Sequence, residues 1–361
     1  MNQTPMNQTP RFSVPCAASA AWLDALLPDN RSLLAQPIDA LLRQKLDTGL
    51  LDRALAILHL NSYAEGLANA YSDIDVMVLL EAPVEGHGAE FWLPIVLPGA
   101  RLDVYFVTAD LIRTRLQEAA RFDLARIMFL HKIKTARVVQ GEAAWARVLD
   151  AHDWSGFQDK LVGWHADNLA TLLEDAIGNL SDGDPLSSAL NARLLVERAI
   201  DGYRASLGDS QPRPKWRSKK MRALGCELDS YLATLFSAAP DSVEDGARFL
   251  GQCARHAQHL QLLAYFPGLR IGAPSPFGQG VYVPPCAVLS RQGERFIVHA
   301  PRPVLAISRE SALVWLLAPL CASLDELIAM LGSAIDNPPG PVRIAELLER
   351  LVRDQLLRVS P

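Results

Sequence analysis

Asn61-Ser62-Tyr63-Ala64-Glu65-Gly66-Leu67-Ala68-Asn69-Ala70-Tyr71-Ser72-Asp73-Ile74-Asp75-Val76, followed by the apolar run Met77-Val78-Leu79-Leu80, is the stretch from which the rest of the chain can be read. Leu55 to Leu60, just ahead of it, has the length and apolar content of a buried strand, and it delivers Ser62 onto a turn of small residues. Ile74 to Leu80 reads as the next strand, opened by two acids. Alternate residues of a strand share a face, so Asp73 and Asp75 are expected to project together while Ile74, Val76 and Val78 enter a core. Two carboxylates side by side repel. A hard divalent ion such as Mg²⁺, which takes one or two carboxylates and fills its shell with phosphate oxygens and water, is their natural partner. Arg101 to Val107 is a third strand with one acid, Asp103, which a neighbouring strand would bring to the same cluster. Three acids on adjacent strands fit a two-metal site, where the ions bridge the attacking and leaving oxygens of a phosphoryl or nucleotidyl transfer.

The order of Ser62, Gly66, Ser72, the Asp73-x-Asp75 pair and a later strand acid, Asp103, resembles the nucleotidyltransferases of the DNA polymerase β superfamily. Within it, the small-molecule enzymes and the minimal nucleotidyltransferase domains are the nearest in pattern, and the resemblance covers roughly residues 36 to 110. It implies that Ser62, with Asn61, Gly66 and Ser72 around it, cradles the terminal phosphates of a nucleoside triphosphate. Asp73 and Asp75 would bind two Mg²⁺ ions, and Asp103 would be the third ligand or the base. The donor would be a nucleoside triphosphate, with ATP first among them, and the acceptor a hydroxyl or other nucleophile of a small molecule or peptide. One position departs from the pattern: Asn61 stands where the family usually has Gly, which changes how closely the backbone approaches the phosphates. Asn is among the side-chain-bearing residues most tolerant of positive φ, so the turn stays feasible.

Composition narrows the function further. The 361 residues suffice for two or three domains, and half of them are hydrophobic, as in globular proteins. Forty acidic residues against 35 basic ones leave a net charge of −5, which gives no general attraction to a polyanion and argues against a polymerase gripping long nucleic acid. Cys16, Cys226, Cys253, Cys286 and Cys321 are odd in number and scattered, and read as free thiols of a reducing compartment. No apolar run reaches the length of a membrane span and the N-terminus lacks signal-peptide character, so a cytoplasmic protein without membrane partners is expected.

The chain is expected to be α+β: a nucleotidyltransferase mixed sheet with flanking helices, a helical bundle, and a small winged-helix-like domain. Met1 to Pro10 repeats Met-Asn-Gln-Thr-Pro twice, and residues 1–16 read as a disordered tail. Residues 17–150 form the expected nucleotidyltransferase domain, with helices over Ala17 to Leu27 and Pro37 to Leu50 and a loop-rich connection from Leu80 to Arg101 holding one short element near Phe91 to Val96. Residues 151–266 read as a helical, acceptor-binding domain with long helices at Phe157 to Leu180, Pro185 to Leu207, Ser218 to Ala239 and Val243 to Leu263. Arg193, Glu197, Arg198 and Arg204 on the second of these read as a solvated face, with Arg193 paired to Glu197. In some relatives a Glu of the helical half activates the acceptor hydroxyl, a role open to Glu197 or Glu174. Cys253, His256 and His259 spread around their helix and read as packing and surface groups rather than metal ligands. Pro212 to Lys220 is the most basic stretch, with five cations in nine residues. By resemblance Lys215 would reach the triphosphate, with Arg217 or Lys219 in reserve; a solvated basic turn capped by Ser218 is the other reading.

Residues 267–286, rich in Gly and Pro, read as a linker. Beyond them come three short strands, a helix from Ser308, a helix opened by the Ser323-x-x-Glu326 capping box, an amphipathic helix from Val342 and a terminal strand. For residues 287–361 this succession, with Trp315, resembles the PqqD-like peptide-recognition domains, which implies a peptide or protein bound there. Asp325 and Glu326 on the capped helix argue against a DNA reader. Two other roles stay open: an antitoxin-like or regulatory module that acts on or binds a partner protein, and a vestigial nucleotide-binding protein.

Overall fold

The structure, a computed structural model, describes residues 38–46, 48–68, 72–97, 100–118, 122–211, 213–223, 229–269, 282–283, 286–299 and 305–359. The expected tail, the helix at Ala17 to Leu27, and Cys16 and Cys226 lie outside them, as does most of the linker. The protein is α+β and divides into two units, residues 1–119 with 132–153 and residues 120–131 with 154–361.

In the first unit the apolar runs become strands because alternate residues have a core to enter. α1 (Ile38–Lys45) and α2 (Thr48–Asp52) lead into β1 (Ala54–His59), a single helical turn α3 (Asn61–Ala64), β2 (Ile74–Leu80), β3 (Glu90–Leu97) and β4 (Ala100–Thr108). The sheet order is β3-β4-β2-β1-β5, with β5 at Arg137–Gln140. β2 and β4 run parallel and the remaining pairs are antiparallel. One face carries Ile74, Val76, Val78, Leu102, Val104 and Phe106 into a core closed by Ile38, Leu41 and Leu42 of α1. Each such fully buried aliphatic side chain contributes about 2 kcal/mol, so this layer anchors the strands that carry the acids.

Two local expectations are corrected. The connection near Phe91 to Val96 is a full eight-residue strand despite Pro94, because β3 is an edge strand bonded only to β4 and the missing N–H costs no ladder bond. The strand β5, absent from the sequence reading, pairs with β1 and is followed by α6 (Glu142–Leu149), after α4 (Ala109–Gln117) and α5 (Leu124–Lys134). Gly141 opens α6 at φ +82°, and a Cβ there would lie 2.0 Å from the Leu55 carbonyl oxygen.

The second unit is built on α7 (Phe157–Ser181), α8 (Pro185–Ser206), α9 (Arg217–Ala223), α10 (Asp229–Leu235) and α11 (Val243–Tyr265). Of the helix expected from Ser218 to Ala239, the described residues are helical at Arg217–Ala223 and Asp229–Leu235, preceded by a 3₁₀ turn at Pro214–Trp216, and residues 224–228 lie outside the described ones. Beyond them β7 (Val288–Gln292), β8 (Arg295–His299) and β9 (Leu305–Ile307) form an antiparallel sheet, counting the two-residue β6 (Tyr282–Val283), which pairs with the terminal β10 (Arg358–Val359). α12 (Arg309–Leu317), α13 (Leu324–Ala334) and α14 (Pro341–Arg353) complete the chain. Ser323 Oγ accepts from the Glu326 amide, and Glu326 reaches back to the amide of Ala322, one residue outside the expected reciprocal bond.

Residues after 286 share one hydrophobic core with the long helices: Trp315, Phe296 and Leu289 cluster with Leu161, Leu262 and Phe266. Gln261 of α11 accepts from the Leu289 amide at 2.9 Å and donates to the Leu289 carbonyl, while Gln258 donates to the Ala287 carbonyl at 2.8 Å. Helix glutamines therefore satisfy backbone groups of β7 and of Ala287 just before it.

Candidate functional site

The parallel register of β2 and β4 places Asp75 directly opposite Asp103. Asp73 lies just before β2, and one oxygen from each of the three carboxylates lies within 4.8 Å of the others. Asp75 and Asp103 are buried and Asp73 is partly exposed. Burial pushes the Asp75 carboxyl up, a hydrogen bond from the Asn61 side chain opposes this, and the charges of Asp73 and Asp103 add to the rise.

Arg101 supplies the cation that this repulsion calls for. Its Nη2 donates to Asp73 Oδ2 at 2.8 Å and to Asp103 Oδ2 at 2.7 Å. Arg101 stands two before Asp103, a spacing that puts both on one face of the strand, but no motif marks it as the counter-ion of the acids. Lys132 of α5 adds a second positive charge near Asp75, with its Nζ 4.7 Å from the Tyr105 ring centroid. No sequence signal connects Lys132 to Asp75, 57 positions upstream. Tyr105, two beyond Asp103, has its hydroxyl pushed up by burial and by the charges of Asp75, Asp103 and Asp73.

The turn after β1 is tied to the acid strand through its backbone. The Leu60 amide donates to the Asp75 carbonyl at 2.9 Å, and the buried Ser62 receives the Leu67 and Ala68 amides on its carbonyl at 2.8 and 3.0 Å. Asn61 adopts φ +51°, in the left-handed region where Gly is the usual residue, and Gly66 has φ +70°. The Asn61 side chain thus does something a Gly could not: it bonds the Asp75 carboxylate. Ser72 is buried at the entry to β2.

Whether these residues fit a divalent cation can be judged from the donor atoms. The set is all carboxylate oxygen, the choice of Mg²⁺ and related hard ions. Asp103 Oδ1 is buried without a hydrogen-bond partner, an orphaned acceptor of the sort a cation satisfies. The Arg101 guanidinium already holds positive charge between two of the three acids. The residues fit such an ion.

Lys215 belongs to the second unit, where it is exposed and its Nζ lies 4.9 Å from the Trp216 ring centroid. Arg217 is committed elsewhere: it bonds Asp201 at 2.9 and 2.8 Å and pairs with Glu197 at 3.0 Å. The expectation of a solvated face on α8 is corrected accordingly. Arg204 is fully buried, held by Asp201 at 2.8 Å and Asp209 at 2.5 Å, and Lys220 joins Asp209 at 2.7 Å. Arg193 donates to the Ser237 carbonyl instead of pairing with Glu197. Three acids draw the basic stretch inward, because a buried guanidinium is stable only when paired. His256 and His259 are buried and bond Thr234 at 2.8 Å and Tyr231 at 2.6 Å, and Cys253 is buried in the same helix.

Fold and site together define an α+β chain whose five-stranded mixed sheet presents three carboxylates beside a strained turn. No protein-family model and no curated protein matches the chain. Among solved structures it is similar to a nucleotidyltransferase-like protein from Exiguobacterium sibiricum 255-15, at 11% identity and a TM-score of 0.35, over 65% of this chain and 80% of that one. A superposition so shallow fixes neither family nor activity. Among the described residues no helix is long and apolar enough to cross a membrane.

Proposed function

We propose that the chain is a metal-dependent nucleotidyltransferase, moving a nucleoside monophosphate from a triphosphate to a nucleophile of a small molecule or peptide with release of pyrophosphate. The observation that carries this reading is the parallel pairing of Asp75 with Asp103, which gathers three carboxylates, one with an orphaned oxygen, at the start of two strands. Asp73, Asp75 and Asp103 would hold Mg²⁺, which when bound neutralises triphosphate charge and supports both the attacking and the leaving oxygen. Arg101, which pairs with Asp73 and Asp103 in this structure, would have to release their oxygens for the metal, and its guanidinium would then suit a phosphate oxygen. Asp103 accepts the proton of the acceptor nucleophile. Asn61 holds the Asp75 carboxylate in place, and by the sequence resemblance Ser62 with the turn around it would cradle the terminal phosphates. The assignment of Lys215 to the triphosphate rests on the sequence resemblance, as do ATP as the donor and peptide recognition by residues 287–361.

Transfer assayed in a host extract tests the proposal. Purified protein, Mg²⁺ and each α-labelled nucleoside triphosphate in turn are compared with Asp73→Asn/Asp75→Asn protein. A labelled small molecule or peptide made only by the unmodified chain is the expected result. A labelled large protein would favour the regulatory reading, and nucleotide binding without label in any product would leave only a vestigial site.

A further inference from the structure

We infer that the second unit contains a separate binding site for a small, multiply charged anion bearing phosphate or carboxylate groups. A cavity of about 690 Å³ opens there, within the size range of small-molecule sites. Lys160 from the first turn of α7, Arg291 from β7 and Arg309 from the start of α12 line it, and Asp159 is the one acid on its wall. Three cations against one carboxylate leave the wall with two net positive charges. None of the three cations forms an ion pair with an acid among the described residues: Arg291 donates to the Gly293 carbonyl at 3.0 Å, and Arg309 lies over the Phe266 ring at 4.8 Å. The contrast with Arg204, Arg217 and Lys220 in the same unit, each held by carboxylates, is what singles this group out.

Folding alone does not account for the arrangement. Lys160 and Arg309 occupy first turns of helices, where the macrodipole disfavours a cation and attracts an anion. Glu294 and Glu310 adjoin the cavity's cations in sequence, but neither is on its wall, and Glu310 pairs with Arg343 instead. Tyr265 also lines the wall and is more than nine-tenths buried, which gives the cations an apolar backing. Like charges converging on a cavity raise its potential, and an anion of matching size relieves it.

The test is calorimetric titration of the full chain in EDTA with tripolyphosphate and, separately, citrate. Without metal the acidic cluster repels both probes, so binding reports the cationic cavity. Saturable binding, retained in Asp73→Asn/Asp75→Asn and weakened at least about tenfold in Lys160→Gln/Arg291→Gln, is expected, since losing two charge contacts amounts to a decade or more. Preference for one probe identifies phosphate or carboxylate as the natural group. If the double variant fails to fold, Lys160→Glu at its exposed position must show the same loss. No saturable binding of either probe, equal binding by the folded cavity variant, or loss of binding in the aspartate variant would overturn the inference.

Discussion

Arg101 bonds Asp103 at 2.7 Å with the same nitrogen that reaches Asp73 at 2.8 Å, so one half-exposed guanidinium stands where a divalent cation would compete for the same oxygens. Replacing it by Met should make the cluster a better metal site. With solvent-screened bonds of this kind, apparent Mn²⁺ affinity in the absence of nucleotide should rise about three- to tenfold, read by electron paramagnetic resonance. If Arg101 also binds phosphate, as proposed, Arg101→Met should raise the KM for the triphosphate. Unchanged Mn²⁺ affinity would show that the ion does not use these oxygens.

Asp201 joins two cations inside the second unit, bonding Arg204 and Arg217 with both oxygens. Asp201→Ala leaves both guanidinium groups without their central partner in a dry place. A loss of about 3–5 kcal/mol is expected, as for other broken buried pairs, measured by urea unfolding of the full chain. A change below about 1 kcal/mol would place the network in solvent-screened surroundings instead.

Acid should unfold the second unit through its histidines. Burial lowers His256 and His259 to about 4, with the charge of Arg255 adding to the first and that of His256 to the second, and burial lowers His165 to about 3. Each has a folded value below its unfolded 6.5, so folding favours the neutral ring. The contribution is whole above pH 6.5 and is lost as pH falls toward 4 for His256 and His259 and toward 3 for His165, on the order of 3 kcal/mol per ring. His259→Gln should flatten the decline between pH 6.5 and 4, followed by circular dichroism in a fixed urea concentration. A decline of unaltered slope would show that His259 protonates without cost.

Gly141→Ala should strike the first unit. Its φ of +82° is already unfavourable to a side chain, and the new methyl group would collide with the backbone at Leu55 and Ala56. Parting β5 and α6 from β1 should cost at least about 3 kcal/mol. Hydrogen exchange at Val138 and Gln140 should accelerate well beyond exchange in β2, and equal protection in variant and parent would contradict the close approach.

Much of the local structure was legible because it follows from nearest neighbours along the chain. The apolar runs mark β1, β2 and β4 to within a residue or so, and the 3.6-residue period marks α7, α8 and α11. Pro94 obscured β3, since a proline breaks a strand only where its amide would be needed, and the sequence does not announce an edge. The helix charges misled for a similar reason: spacing allowed Arg193 to meet Glu197, but tertiary packing turned Arg204 inward and supplied Asp209 and Lys220 from beyond the helix.

By itself, the sequence determined the strand period that puts Asp73 and Asp75 on one face and Arg101 beside Asp103 on another strand, because two-residue alternation is a property of the backbone. Only the tertiary structure decided that β4 pairs parallel with β2 in the register that sets Asp103 against Asp75, that Asn61 turns its amide to Asp75, and that α11 lends two glutamines to β7 and to Ala287 just before it. Those choices rest on pairings between residues far apart in the chain. Their free energy comes from burying shared surfaces and satisfying distant backbone groups, which no local pattern records.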